Sequence, residues 1–134
     1  MLGLSRWVFT MRQPKEVIHD VGILITEISA VGVGLRVNYA ISLLGEVIRH
    51  LSDPELTSAW NFHIWGDLAT AASDLNMSTV FDGIPKDNVK APTEKLKQIA
   101  REFEVDQLPG FTVIDPGLQA LIDFMNPSWK PKSG

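Results

Sequence analysis

Between residues 21 and 45 only two side chains carry charge, Glu27 and Arg36, and Val, Ile and Leu dominate the rest. A stretch of this kind can cross a bilayer, form the core of its own fold, or lie against a neighbouring chain. Crossing takes about 20 mostly apolar residues in one helix, and a charge near the centre costs at least about 2.5 kcal/mol. Glu27, Arg36, Asn38, Gly32 and Gly34 all fall inside the window. The sequence therefore disfavours a membrane span and favours burial, either within the chain or beneath another protein.

Periodicity organises the same region. Pro14, followed by Lys15 and Glu16, marks a helix start, where proline's missing N–H costs nothing. Val17, Val21, Leu24, Ile28, Val31 and Leu35 then recur every three or four residues, as a buried helix face requires. The β-branched run Val21–Ile28 also suits a strand, so that segment reads as helix first and buried strand second. After Gly32 and Gly34, which bend the chain or allow close packing, Val37, Ile41, Leu44, Ile48 and Leu51 form a cleaner stripe. Arg49 and His50 sit in its last turn, where positive charge suits the helix dipole. Ser52-Asp53-Pro54-Glu55 has capping-box spacing. Leu56, Trp60, Ile64, Leu68, Ala71 and Leu75 then keep one face, which predicts an αα-hairpin of helices about 35–51 and 54–75.

The second half is less uniform. Ser78–Phe81 reads as a short strand, Asp82–Pro85 as a turn and Asn88–Pro92 as loop. A helix follows from Thr93, with Leu96, Ile99, Ala100 and Phe103 inward, and Phe111–Ile114 is again strand-like. Asp115-Pro116 opens a last helix with Leu118, Leu121, Ile122 and Met125 inward, and Asn126-Pro127 ends it. The expectation is a mainly α fold of four or five helices, one domain over residues 1–134 with irregular termini, and a minor extended or βαβ element near 78–114. An α/β arrangement is the alternative. The order of elements across Trp60–Met125 loosely resembles thioredoxin-like domains, but the Cys-x-x-Cys motif is missing and the resemblance implies no activity.

Composition narrows the function classes. Charged residues make up 21% of the chain, below the usual figure of about 25%, which suits a subunit with a covered face. Net charge is −4 and no basic stripe or tail stands out, so nucleic acid is disfavoured as a partner. The absence of cysteine excludes disulfides, thiolate nucleophiles and iron–sulfur centres. His19, His50 and His63 lack the i, i+4 spacing of a helical metal pair, and Gly32-Val33-Gly34 lacks the third glycine of a dinucleotide loop, so neither metal nor cofactor is expected. The first ten residues are apolar but too short and poorly flanked for a signal peptide. Location is left between the cytoplasm and the interior of a larger particle.

Two functional expectations follow. The first is a non-enzymatic structural or assembly subunit, acting through protein–protein contacts in a homo-oligomer or a larger particle of the virion, pilus or secretion type. Its interface candidates are the aromatics Trp7, Phe62, Trp65 and Trp129, which fall off the helix stripes or near the termini, and the isolated charges Glu27 and Arg36. The second is a small enzyme or ligand-binding domain whose pocket brings together His63, Asp67 and Glu27. His63 and Asp67 stand one helical turn apart, and Glu27 is a carboxylate among apolar neighbours that must be paired or protonated.

Overall fold

The computed structural model describes residues 12–53, 55, 61–103 and 116–125. They form five helices: α1 (Pro14–Ser29), α2 (Leu35–Leu51), α3 (Asn61–Phe81), α4 (Lys86–Arg101) and α5 (Pro116–Met125). No strand occurs among the described residues. The fold is mainly α. The predicted strand Phe111–Ile114, the tryptophans Trp7, Trp60 and Trp129, and Leu56 all lie outside the described residues.

Helix α1 resolves the helix-or-strand choice at Val21–Ile28. Proline occupies its first turn, and Val17, Val21, Leu24 and Ile28 are buried on one face. The periodicity prevails over the β-branched preference because a single stripe lets all four side chains enter one core. Leu35, expected to extend that stripe, instead opens α2 and is 60% exposed. Helix α2 buries Val37, Ala40, Leu44, Val47 and Leu51, while Ile41 and Ile48 are half-buried.

The α2–α3 hairpin is present, with shifted bounds. Ser52 caps the C-terminus of α2 and its hydroxyl donates to the Ile48 carbonyl, so it does not open a capping box. Asp53 instead accepts the backbone N–H of Glu55. At its far end α3 continues to Phe81, which corrects the predicted strand at 78–81. The stripe Ile64, Leu68, Ala71, Leu75 extends by its own period to Ser78, which is fully buried with its hydroxyl donating to the Leu75 carbonyl. Helical geometry then turns Val80 and Phe81 outward. Gly83, at φ +70°, lets the chain reverse so that the N–H groups of Asp82 and Ile84 both donate to the Ser78 carbonyl.

Helix α4 also starts earlier than expected, at Lys86, so Asn88–Pro92 is helical and not loop. Pro92 lies inside the helix, where it forfeits one backbone hydrogen bond at a cost of about 3 kcal/mol. It is tolerated because it is buried on the stripe Val89, Pro92, Leu96, Ile99, Phe103. With neither 78–81 nor 88–92 extended, the βαβ element and the thioredoxin-like order do not form across the described residues.

The helices close a ring: α1 packs on α2, α2 on α3, α3 on α4, and α4 returns to α1, while α5 adds to the outside of α3. Ion pairs give the directions. Moving along α1 from the Arg12 side to Glu27, the partner on α4 retreats from Glu102 to Lys95. From Arg36 to His50 on α2, the partner on α3 retreats from Asp74 to Asp67. Both pairs run antiparallel, as an up-and-down bundle with short connections must. Helix α3 has neighbours on several sides and is buried on more than one of them, with His63, Asn76, Val80 and Phe81 exposed, and Ala69, Ala71 and Ala72 allow the close approach. Leu68, fully buried at its middle, would cost about 2–5 kcal/mol as Leu68→Ala.

Candidate functional site: the apolar end of the bundle

The turn from α1 to α2 and the turn from α3 to α4 meet at one end of the bundle. Their contact depends on Gly34. A Cβ there would stand 2.2 Å from the Asp82 side chain, so only glycine lets Asp82 come this close. The Asp82 carboxylate accepts the N–H of Val37 at 3.0 Å, in the first turn of α2. Helix α2 has no side-chain cap from its own N-cap residue, Gly34. Asp82 supplies that cap from a distant part of the chain, worth about 1 kcal/mol, and its charge suits the positive end of the helix dipole. Asn88 adds a longer bond of 3.4 Å to the Val31 carbonyl.

Arg36 fastens the same end. Its guanidinium donates to Asp74 at 3.0 Å and lies 5.0 Å from the centre of the Phe81 ring. Asp74 is buried, which pushes its carboxyl above the usual range, and the hydrogen bond from Arg36 pulls it back. This end therefore has a fixed backbone, yet its outer surface is apolar. Val33 is 89% exposed, Leu35 60%, Val80 77% and Phe81 65%. Tyr39, one turn beyond Leu35, is also exposed.

The expected interface residues divide. Arg36 belongs to this end. Trp65 does not reach solvent: it is 5% exposed, packed in the core, with Phe62 stacked on it at 5.8 Å between ring centres. Being off the predicted stripe did not expose it, because α3 is packed on more than one side. Phe62 itself is half-buried. Glu27 pairs with Lys95 at 3.3 Å across α1 and α4, and not with Arg36. Val33, Leu35, Val80 and Phe81 escaped selection because their exposure depends on where the helices start and stop.

His63, Asp67 and Glu27 do not converge. Glu27 lines a cleft of about 410 Å³ between α1 and α4, together with Arg12, Asp20, Lys95 and Glu102, and neither His63 nor Asp67 takes part in it. Arg12 bridges Glu102 and Asp20 there, which raises its already high pKa further. Asp67 instead faces α2. The His50 ring stands close to it, Nδ1 to Oδ2 at 3.8 Å, and the His50 and His63 ring centres are 6.5 Å apart. Burial raises the Asp67 carboxyl, His50 draws it down, and Glu46 raises it. No group of three or more His, Asp or Glu side chains among the described residues is placed to hold a metal ion. Nor is any described helix long and apolar enough to cross a membrane.

Comparison with known proteins finds no family, no curated protein and no solved structure that matches this chain.

Proposed function

We propose that the chain is a non-enzymatic structural or assembly subunit that pairs with a second copy of itself through the apolar end of the bundle, within an oligomer or a larger particle. The observation that carries this is the grouping of Val33, Leu35, Val80 and Phe81, large apolar side chains well exposed at one end held by Gly34, Asp82 and Arg36. Such a patch on a rigid backbone needs little reordering on binding, which keeps the entropy cost of association low. Fully covering each side chain is worth about 1.5–3 kcal/mol. A two-fold contact lets the patch meet its own copy without a second complementary surface. Arg36 and Asp82 give the rim both signs, so two copies are not opposed by like charge there.

Light scattering with mass analysis at micromolar concentration tests this. The expected result is a mass above the 14.8 kDa of one chain, falling on dilution. The paired substitutions Leu35→Ser and Phe81→Ser, both on exposed positions, should return it to one chain that keeps its helical circular dichroism. A wild-type mass of one chain throughout would refute the proposal.

A further inference from the structure

Asp82 is followed by glycine in the short connection between α3 and α4, and that pair of residues has a covalent chemistry of its own. The side-chain carboxyl carbon of an aspartate and the backbone nitrogen of the next residue are spaced to close a five-membered ring. Closure is normally held back by a side chain on the following residue, by a hydrogen bond on its N–H, or by a helix or strand that fixes the backbone. None of these operates at Gly83. It is exposed, it lies between the last residue of α3 and the first of α4, and an added Cβ would meet nothing within 4 Å. Its N–H donates to no acceptor among the described residues, although the N–H groups on either side, of Asp82 and Ile84, both donate to the Ser78 carbonyl.

The brake is on the carboxylate instead. Asp82 is half-buried, its Oδ2 accepts the Val37 N–H at 3.0 Å, and its side chain is packed against Gly34. Ring closure requires the carboxylate to leave α2 and turn back toward its own backbone. It therefore happens when this end of the bundle opens, and local opening is rarer the better the end is held.

We propose that Asp82–Gly83 is a site of spontaneous aspartate isomerisation, gated by release of the α2 N-terminus, and that the product cannot restore the cap. The Gly83 nitrogen gives up its proton and attacks Cγ of Asp82; the Cγ–N bond forms, a Cγ–O bond breaks, and one water leaves. Water then adds to the former backbone carbonyl of Asp82 and breaks its bond to the Gly83 nitrogen. One water is lost and one gained, nothing is oxidised, and the mass is unchanged. The main chain now runs through Cβ and Cγ, and the free carboxylate sits directly on Cα. The arm that reached Val37 is shorter by one carbon–carbon bond, about 1.5 Å. The Val37 N–H lies in the first turn of α2, where a helix supplies no carbonyl of its own, so it is left without an acceptor. The chemistry is intramolecular and calls for no partner beyond water.

Peptide mapping by liquid chromatography and mass spectrometry tests this, on the full chain held in warm buffer until a free peptide of residues 80–87 is half converted. Isoaspartate at position 82 is expected in the wild type, in a smaller fraction than in the peptide. Gly34→Ala, which pushes Asp82 off α2, should raise the rate about fivefold, toward that of the peptide. In the aged wild type, amide exchange by NMR should show the isomerised fraction losing protection at Val37 while Leu44, well inside α2, keeps it. No isoaspartate at 82 in the wild type, or a wild type as fast as the peptide, would overturn the proposal. So would a Gly34→Ala chain that isomerises no faster, or an isomerised fraction whose Val37 amide stays protected.

Discussion

The two ends of the α2–α3 hairpin are built from opposite materials. At one end Arg36 meets buried Asp74 and Asp82 caps α2, so polar groups fix the backbone while the outer surface is left to Val33, Leu35, Val80 and Phe81. At the other end Glu46, Arg49, His50, His63 and Asp67 put charge and titratable rings between the helices and on the surface. Surface ion pairs such as Arg49 with Glu46 hold little, because water solvates each partner nearly as well. A partly buried pair such as Arg36 with Asp74 is different. Removing one partner strands the other away from water. The end that presents apolar groups is thus the more firmly held, and that rigidity is what a docking face needs.

This contrast can be broken most forcefully at Arg36. Arg36→Ala leaves Asp74 buried without its partner and should destabilise the fold by about 2 kcal/mol in chemical denaturation. Gly34→Ala forces Asp82 away from α2 and should cost about 1–2 kcal/mol, measured in the same way. Asp82→Ala removes the cap alone, and a loss of about 1 kcal/mol is expected, with amide exchange faster in the first turn of α2. The polar end should answer to pH instead. Burial raises the pKa of Asp67 in the folded chain above its ordinary 3.8. The folded state therefore keeps this proton to higher pH than the unfolded state does. Its favourable contribution is complete below about 3.8 and is lost as pH rises through the raised value. Asp67→Asn should remove that decline, so the stability difference between variant and wild type ought to grow in the variant's favour across this window. Smallest of all, Arg49→Ala should leave the unfolding midpoint where it was, since both partners of its ion pair are well exposed.

Much of the bundle is legible in the sequence where one period runs long enough. Val17, Val21, Leu24 and Ile28 specify α1 despite their β-branched neighbours, and Val37, Leu44 and Leu51 specify α2. The misreadings at 78–81 and 88–92 share one cause, which is local preference set above an unbroken period. Ser78–Phe81 has strand-like composition, yet Ser78 continues the stripe of α3, and Pro92 looks like a boundary although it occupies a stripe position of α4. Of the candidate site, Arg36 stood out as a charge among apolar residues, whereas its partner Asp74 could be found only by pairing α2 against α3. His50 was likewise visible as a residue but not as Asp67's neighbour, because the pairing follows from the hairpin's register.

By itself the sequence determined that the chain is mainly helical, that Val21, Leu24, Ile28, Val37 and Leu44 face a core, and that no cysteine chemistry is available. Those conclusions rest on spacing and composition, which are properties of the chain taken one segment at a time. Only the tertiary structure decided which apolar groups stay in water: Trp65 is enclosed because α3 has neighbours on several sides, and Val80 and Phe81 are bare because α3 ends just beyond the bundle's edge. Exposure is a relation between segments distant in sequence. The same reason explains why Gly34 and Asp82, unremarkable apart, together make the end on which the proposed contact rests.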